Sequence, residues 1–407
     1  MAVGCCPETT VEEHNTSRTR INCLEMRAII WPVSCTQSAI WPQIFKNMEG
    51  ALKLLIQPES GIAPLLAGIK RSKKTIDIVI FRFDRAEIEA ALKAAVTRGV
   101  SVNALIAYAN RGGEKNLRKL EMRLLEAGVT VSRTADDLVR YHDKLLVVDR
   151  RELFVMSYNL THLDIDHSRA FGIISTKHKL VQEALKLIEA DIARKPYEAN
   201  LDNFVVSPVN ARKRLAAFLG GARKELLIYD PKIADAEMLR ILADRKKNGV
   251  AVKVIGAIGR KHHPFEVRSP VFRLHTRTII RDRHDAFIGS QSLRQAELDT
   301  RREVGVIIHE PKTVSGLLKT FEADWEMKEA PAHIQVPTKR LKKNMKAAVA
   351  KLSPLNPIVK EAVKEVVAKS GSESLDPKEV KATVQKAVKE AVRERVEEIL
   401  LEETEDQ

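Results

Sequence analysis

The feature that most restricts how this chain can fold is a repeat. Residues 142–192 align without a gap on residues 275–325, at a constant offset of 133. His142 meets His275, Asp149 meets Asp282, Phe154 meets Phe287, and Ser157 meets Ser290. Asp166 meets Asp299, Arg169 meets Arg302 and Gly172 meets Gly305, and Glu189-Ala190-Asp191 falls on Glu322-Ala323-Asp324. A match that keeps polar residues over such a span points to a duplicated structural unit. Upstream the offset becomes 150. The apolar run at residues 76–80 faces residues 226–230, and Arg98-Gly99-Val100 faces Asn248-Gly249-Val250, each ending a helix and opening a strand. The first half therefore holds an insert between Ala109 and Arg140. It reads as a basic turn (Arg111-Gly112-Gly113), a helix with Leu117, Leu120, Leu124 and Leu125 on one face, and a strand.

Each half alternates helices and strands and closes with a hairpin and a helix. That order predicts the α/β class with a parallel or mixed sheet in each half, the two halves packing about a pseudo-twofold axis. A length of 407 residues is too long for one ordinary domain. The division expected is a poorly patterned extension over 1–50, a first repeat over 51–199, a second over 200–330, and a basic linker with an amphipathic helical tail over 331–407. In the tail, Asp376-Pro377-Lys378-Glu379 reads as a helix start, and Val380, Val384, Ala387, Val388, Ala391 and Val392 form a stripe that calls for a partner such as a second copy of the chain. Residues 1–47, preceding the alternative start Met48, are expected to be disordered or untranslated.

Charge and cysteine content narrow the partners. Of a net charge of +14, residues 51–330 hold +13, which favours a phosphate-bearing partner, either nucleic acid or an anionic lipid surface. All four cysteines (Cys5, Cys6, Cys23, Cys35) precede the repeats, so no disulfide can brace them, and a cytoplasmic location is the simplest reading. No run of eighteen apolar residues occurs.

The repeated polar residues carry the chemistry. His142-Asp143-Lys144 reads as part of a strand over 141–148, with His142 and Lys144 on one face. Asp149 opens a turn, and a return strand over 153–159 brings Ser157 and Asn159 alongside. An imidazole, an ammonium, a hydroxyl and a carboxamide then converge, a set suited to a phosphodiester: donors hold the nonbridging oxygens while an imidazole attacks phosphorus. The second copy supplies His275, Thr276, Arg277 and Asp282, then Ser290, Gln291 and Ser292. The pseudo-twofold would set the two histidines across one pocket, one to attack and one to protonate the leaving oxygen.

The pattern H-x-K-x4-D followed by Ser and Asn resembles the HKD signature of the phospholipase D superfamily, and the likeness extends over about residues 51–330. Among its members the chain is most similar to bacterial phospholipase D-like and cardiolipin synthase-like proteins. The resemblance implies paired α/β/α sandwiches with the site at their interface. It also implies ping-pong transfer through a phosphohistidine, without metal or cofactor. By position His142, Lys144, Asp149, Ser157 and Asn159 match the first motif, with Met156 where glycine is usual, and His275, Asp282 and Ser290 match the second. Glu303 fits the acidic residue that follows the second motif and would orient His142, whereas Ala170 stands at the equivalent place for His275. Arg277 replaces the second lysine and Ser292 the second asparagine. Expected catalytic residues are His142, Lys144, Asp149, His275, Arg277 and Asp282, of which Asp149 and Asp282 are expected to secure the hairpin turns rather than react, with Ser157, Asn159, Ser290, Ser292 and Glu303 completing the substrate pocket. His142 is the expected nucleophile, and the reverse assignment stays open. Three functions compete: transfer or hydrolysis of phospholipid, metal-independent nucleic-acid hydrolysis, and phosphate binding without catalysis. Five tyrosines and three tryptophans, two of the latter outside the repeats, leave few base-stacking platforms. Phospholipid is favoured for that reason, with peripheral contact to an anionic membrane.

Overall fold

The computed structural model describes residues 52–108 and 114–329. The extension over 1–50, the Arg111–Gly113 turn and the helical tail over 331–407 lie outside the described residues. Among the described residues, no helix is long and apolar enough to cross a membrane.

The first repeat runs β1 (Leu52–Gln57), α1 (Ala63–Arg71), β2 (Thr75–Ile80), α2 (Ala86–Thr97), β3 (Ser101–Ile106), α3 (Glu114–Glu126), β4 (Thr130–Arg133), β5 (Arg140–Tyr141), β6 (Leu145–Val148), β7 (Glu152–Met156), α4 (His162–Asp166), β8 (Ser168–Ser175) and α5 (His178–Ala193). The second runs β9 (Phe204–Ser207), α6 (Ala211–Gly220), β10 (Glu225–Ile233), α7 (Ala236–Lys247), β11 (Ala251–Ile258), β12 (Glu266–Arg268), β13 (Arg273–Leu274), β14 (Arg277–Arg281), β15 (Asp285–Gly289), α8 (Gln295–Asp299), β16 (Arg301–Ile308) and α9 (Pro311–Glu326). Each repeat forms a mixed sheet, ordered β1-β8-β7-β6-β2-β3-β4 in the first and β12-β11-β10-β14-β15-β16 in the second, where β9 also pairs with β16. The α/β class and the tandem organisation expected from the repeat are what the chain adopts.

Three apolar clusters hold the layers. One packs α1, α2 and α3 on the outer face of the first sheet, and another packs α6 and α7 on the second. The largest lies between the repeats and draws side chains from both sheets and from α5 and α9, Phe171, Tyr229, Phe321 and Trp325 among them. In α3, Leu117, Leu120 and Leu124 are buried but Leu125 is 47% exposed. The apolar face is therefore narrower than the leucine spacing suggested, because at 100° per residue Leu125 turns away from the seam that Leu117 and Leu124 share.

The strand expected over 141–148 is broken at its centre. β5 leaves its own sheet and pairs in parallel with β16 of the other repeat, Arg301 opposite Arg140 and Arg302 opposite Tyr141. β13 does the reverse, pairing with β8, Arg273 opposite Ser168 and Leu274 opposite Arg169. Each histidine motif thus follows a short strand lent to the partner repeat. The amide of His142 donates to the Arg302 carbonyl at 2.8 Å, and that of His275 to the Arg169 carbonyl at 3.0 Å.

The polar residues that the repeat preserves explain how the halves stay together. Arg302 grips Asp191 on α5 with two N–H groups, at 3.1 and 2.9 Å, and its Nη1 donates to the Ser207 carbonyl. Arg169 grips Asp324 on α9, at 2.8 and 3.1 Å, and its Nη1 donates to the Gln57 carbonyl. All four side chains are buried. The Arg-to-Asp geometry is bidentate on both sides of the pseudo-twofold, which fixes orientation as well as charge.

A glycine secures one wall of the site. β10 and β11 shift register between Asp230 and Ile233, and opposite the shift stands Gly256 with φ +146°. A Cβ there would lie 1.7 Å from the Asp230 carbonyl oxygen. Gly256→Ala is expected to destabilise the fold by roughly 2–4 kcal/mol, since both the backbone conformation and the strand approach exclude a side chain. A chemical denaturation midpoint equal to that of the wild type would contradict this.

Candidate active site at the repeat interface

His142 is fixed from three sides. Its Nδ1 lies 2.9 Å and 3.1 Å from the two carboxylate oxygens of Glu303, which reaches across from β16. The Phe81 ring meets it edge-on at 4.5 Å between centroids. When Glu303 is ionised it can only accept, so the ring proton then sits on Nδ1 and the Nε2 lone pair is left for chemistry. Burial, then the cations Lys144, Arg277, Arg140 and His275, hold its pKa well below the ordinary histidine value. His142 is therefore a neutral imidazole near pH 7. That His275 is among those neighbours places the two rings within electrostatic reach of each other.

Lys144 is buried, and its Nζ donates to the His142 carbonyl at 2.6 Å. Burial pushes its pKa down to about 7 against the opposing pull of Glu303, while burial pushes Glu303 up to about 7 against the pull of Lys144. As pH rises through 7 the site loses an ammonium and gains a carboxylate, and both changes disfavour an anion. Sulfate, whose own charge is constant here, is expected to bind progressively more weakly from pH 6.5 to 8.5 by titration calorimetry. Affinity independent of pH would show that neither group titrates in that range.

Arg277 is buried, and its Nε and Nη1 have no hydrogen-bond partner. Orphaned guanidinium donors in a buried site are costly unless a ligand oxygen completes them. Their fork geometry fits two oxygens of one phosphate. Beside Arg277 sits Asp230, whose carboxyl is pushed up by burial and pulled down by Ser292, Leu293 and Arg277.

His275 is held differently. Its Nδ1 lies 3.3 Å from Arg273 Nη2, and its Nε2 lies 3.3 Å from Asp164 Oδ2 and 3.4 Å from Asn159 Nδ2. These partners differ from the single carboxylate that meets His142 at Nδ1.

The remaining expected residues divide. Asn159 is brought in, its amide and Nδ2 both donating to Asp164 Oδ2, at 2.7 and 2.8 Å. Ser157 Oγ donates to the His275 carbonyl at 3.2 Å and accepts from the Phe171 amide, so it braces the interface. Ser290 does similar work on the Val304 backbone. Ser292 is a correction: its hydroxyl is taken up by Asp230 Oδ1 at 2.5 Å and does not replace the asparagine as an open donor. Glu303, expected to orient His142 as well as to complete the pocket, is wholly buried and bonds that ring at Nδ1. Asp149 and Asp282, grouped with the catalytic residues by the motif, secure the hairpin turns, the other role expected of them. The Asp149 carboxylate accepts from the amides of Lys73, Lys74 and Thr75, and that of Asp282 from Arg223, Lys224 and Glu225. Both residues have positive φ, 52° and 53°, and each ties a hairpin turn to the neighbouring strand. A short carboxylate tolerates that conformation and can reach backbone amides from it.

Sequence reasoning missed Asp164, Asp230, Arg140 and Arg273. A signal was present: at the offset of 133, Arg140 meets Arg273 and Asp164 meets Glu297. Among the described residues no cluster of three or more His, Cys, Asp or Glu side chains could hold a metal ion.

Residues 65–192 match the family described as "Cardiolipin synthase, PLD-like domain". No curated protein matches the chain in sequence. Among solved structures, phosphatidylserine synthase of Haemophilus influenzae Rd KW20 shares the fold with a TM-score of 0.53 and 13% identity, over 76% of this chain and 97% of that one. Polyphosphate kinase of Porphyromonas gingivalis gives a TM-score of 0.57 and 16% identity, over 67% of this chain. The match spans 46% of that kinase, less than half its length.

Proposed function

We propose that this chain, which belongs to the phospholipase D superfamily, cleaves or transfers phosphodiesters through a phosphohistidine on His142, with phospholipid as the favoured substrate. The observation that carries the reading is the buried His142 ring held by Glu303 beside Arg277, whose Nε and Nη1 are without a hydrogen-bond partner. A neutral imidazole with an open Nε2 suits a nucleophile, and a second histidine in its imidazolium form suits an acid.

In the first step the His142 Nε2 lone pair forms a bond to phosphorus. The bond from phosphorus to the leaving oxygen breaks, and that oxygen takes a proton from the imidazolium form of His275, which is left as the neutral ring. In the second step water or an alcohol gives its proton back to His275 as its oxygen bonds to phosphorus, and the bond to His142 breaks. Arg277 and Lys144 hold the nonbridging oxygens, where negative charge grows. Glu303 keeps the proton of His142 on Nδ1 and stabilises the ring as it becomes cationic.

Support for phospholipid comes from the family description matched by residues 65–192 and from the scarcity of aromatic residues for base stacking. The basic charge of residues 51–330 supports a second reading, a nuclease of the same chemistry. Peripheral contact with anionic membrane, a cytoplasmic location and self-association through the tail belong to the proposal as well. The test is turnover of cardiolipin, phosphatidylglycerol and phosphatidylethanolamine vesicles against single- and double-stranded DNA, all in EDTA. Release or exchange of a lipid headgroup is expected; nicked DNA with intact lipid would select the second reading, and no turnover of any diester would overturn both.

A further inference from the structure

The two cations of the pocket stand in different company. In the first repeat β2 runs antiparallel to β6 with Ile78 opposite Leu146, and the same register two residues on sets Ile80 opposite Lys144. In the second, β10 runs antiparallel to β14 with Tyr229 opposite Thr278, and the next pair in that register is Asp230 and Arg277. Ile80 and Asp230 are equivalent at the offset of 150. An apolar residue therefore faces one cation and a carboxylate faces the other. Residues directly opposite on antiparallel strands share a face, with Cβ atoms about 5 Å apart.

Asp230 is buried. Its Oδ1 accepts from Ser292 Oγ at 2.5 Å and from the Lys232 amide at 2.9 Å, and its Oδ2 accepts from the Leu293 amide at 2.8 Å. Three donors compensate a buried carboxylate and favour its ionised form. Burial pushes its carboxyl up, while those donors and Arg277 pull it down. None of the three bonds comes from Arg277, whose Nε and Nη1 stay unpartnered. The acid thus lowers the positive charge around Arg277 without consuming those donors.

We infer that Asp230 is a specificity-determining residue, which matches the pocket to a singly charged phosphodiester and weakens its hold on a doubly charged phosphate. The inference rests on the proposed chemistry and deepens it by assigning charge selection to one side chain. A fixed carboxylate repels an anion in proportion to the anion's charge, so its cost doubles between a diester and a dianion. The consequence falls on the products. Attack of water on the phosphohistidine yields a phosphomonoester, which is largely a dianion near pH 7. Attack of an alcohol remakes a diester with a single charge. Asp230 therefore speeds release of the hydrolysis product, whereas the transfer product is held as the substrate was.

The test is titration calorimetry at pH 7.5 with two anions of constant charge, dimethyl phosphate with one and sulfate with two. Asp230→Asn is expected to tighten dimethyl phosphate by about 5-fold and sulfate by about 25-fold, the square of that factor. The asparagine keeps an acceptor for Ser292, and a pocket merely loosened by the change would lose affinity for both anions alike. Equal changes for the two anions, or none, would overturn the inference. A second measurement needs no variant. The wild type should bind dimethyl phosphate at least as tightly as sulfate, and tighter binding of sulfate would equally overturn the inference. Both readouts are binding, not turnover. A chain that turns over no diester yet selects charge in this way would overturn the proposed chemistry and leave the role of Asp230 standing.

Discussion

His142→Ala is expected to lose phosphodiester turnover by about 10⁴-fold or more, with the fold intact and with EDTA making no difference to the wild type. The size follows from removing the atom that bonds to phosphorus, since residues acting as one catalytic unit fail together. Lys144 and Arg277 would still hold an anion, so sulfate binding should survive. That combination, binding kept and turnover lost, distinguishes a missing nucleophile from a collapsed pocket. Turnover within a few-fold of wild type would remove His142 from the mechanism.

The second large effect concerns stability. Arg302→Met is expected to cost roughly 3–5 kcal/mol, because it leaves the buried Asp191 and Asp143 carboxylates without their cation. Burial already pushes Asp143 up to about 6 and Asp191 up to about 7, with Arg302 pulling both down. Without the arginine both rise further. The folded variant then holds protons that the unfolded chain has released, so its stability falls as pH rises above the unfolded carboxylate value. The deficit should therefore be larger at pH 8 than at pH 5.5 in urea denaturation. A deficit that does not change with pH would mean that the two aspartates find other partners. Arg169→Met, its counterpart across the pseudo-twofold, should be similarly costly, as Asp324 loses a grip that Tyr229 Oη, at 2.7 Å, replaces only in part.

Much of this was written in the residues themselves. An ungapped duplication that preserved His142, Arg169, Asp191 and their copies implied two like units meeting at a symmetric junction. The α/β class followed from the alternation of strands with helices. Local patterning did not show that β5 and β13 change sheets, because a two-residue strand has no period to detect and the partners lie 161 and 105 residues away along the chain. Nor did it reveal β9, whose four residues are buried on both faces and show no alternation. At the site, the H-x-K spacing picked out His142, Lys144, His275 and Arg277. Asp164 escaped because only the folded chain shows that α4 turns its carboxylate toward the other repeat. Asp149 and Asp282 lie in the motif, but their positive φ and three-amide binding mark them as turn residues.

The most direct measurement of the central idea is mass spectrometry of the enzyme quenched in alkali during turnover, under conditions that preserve phosphoramidates. The account predicts an acid-labile phosphoryl adduct on the peptide containing His142, and its loss in His142→Ala. An adduct on His275 in the wild type, or none in an enzyme that is turning over, would contradict it.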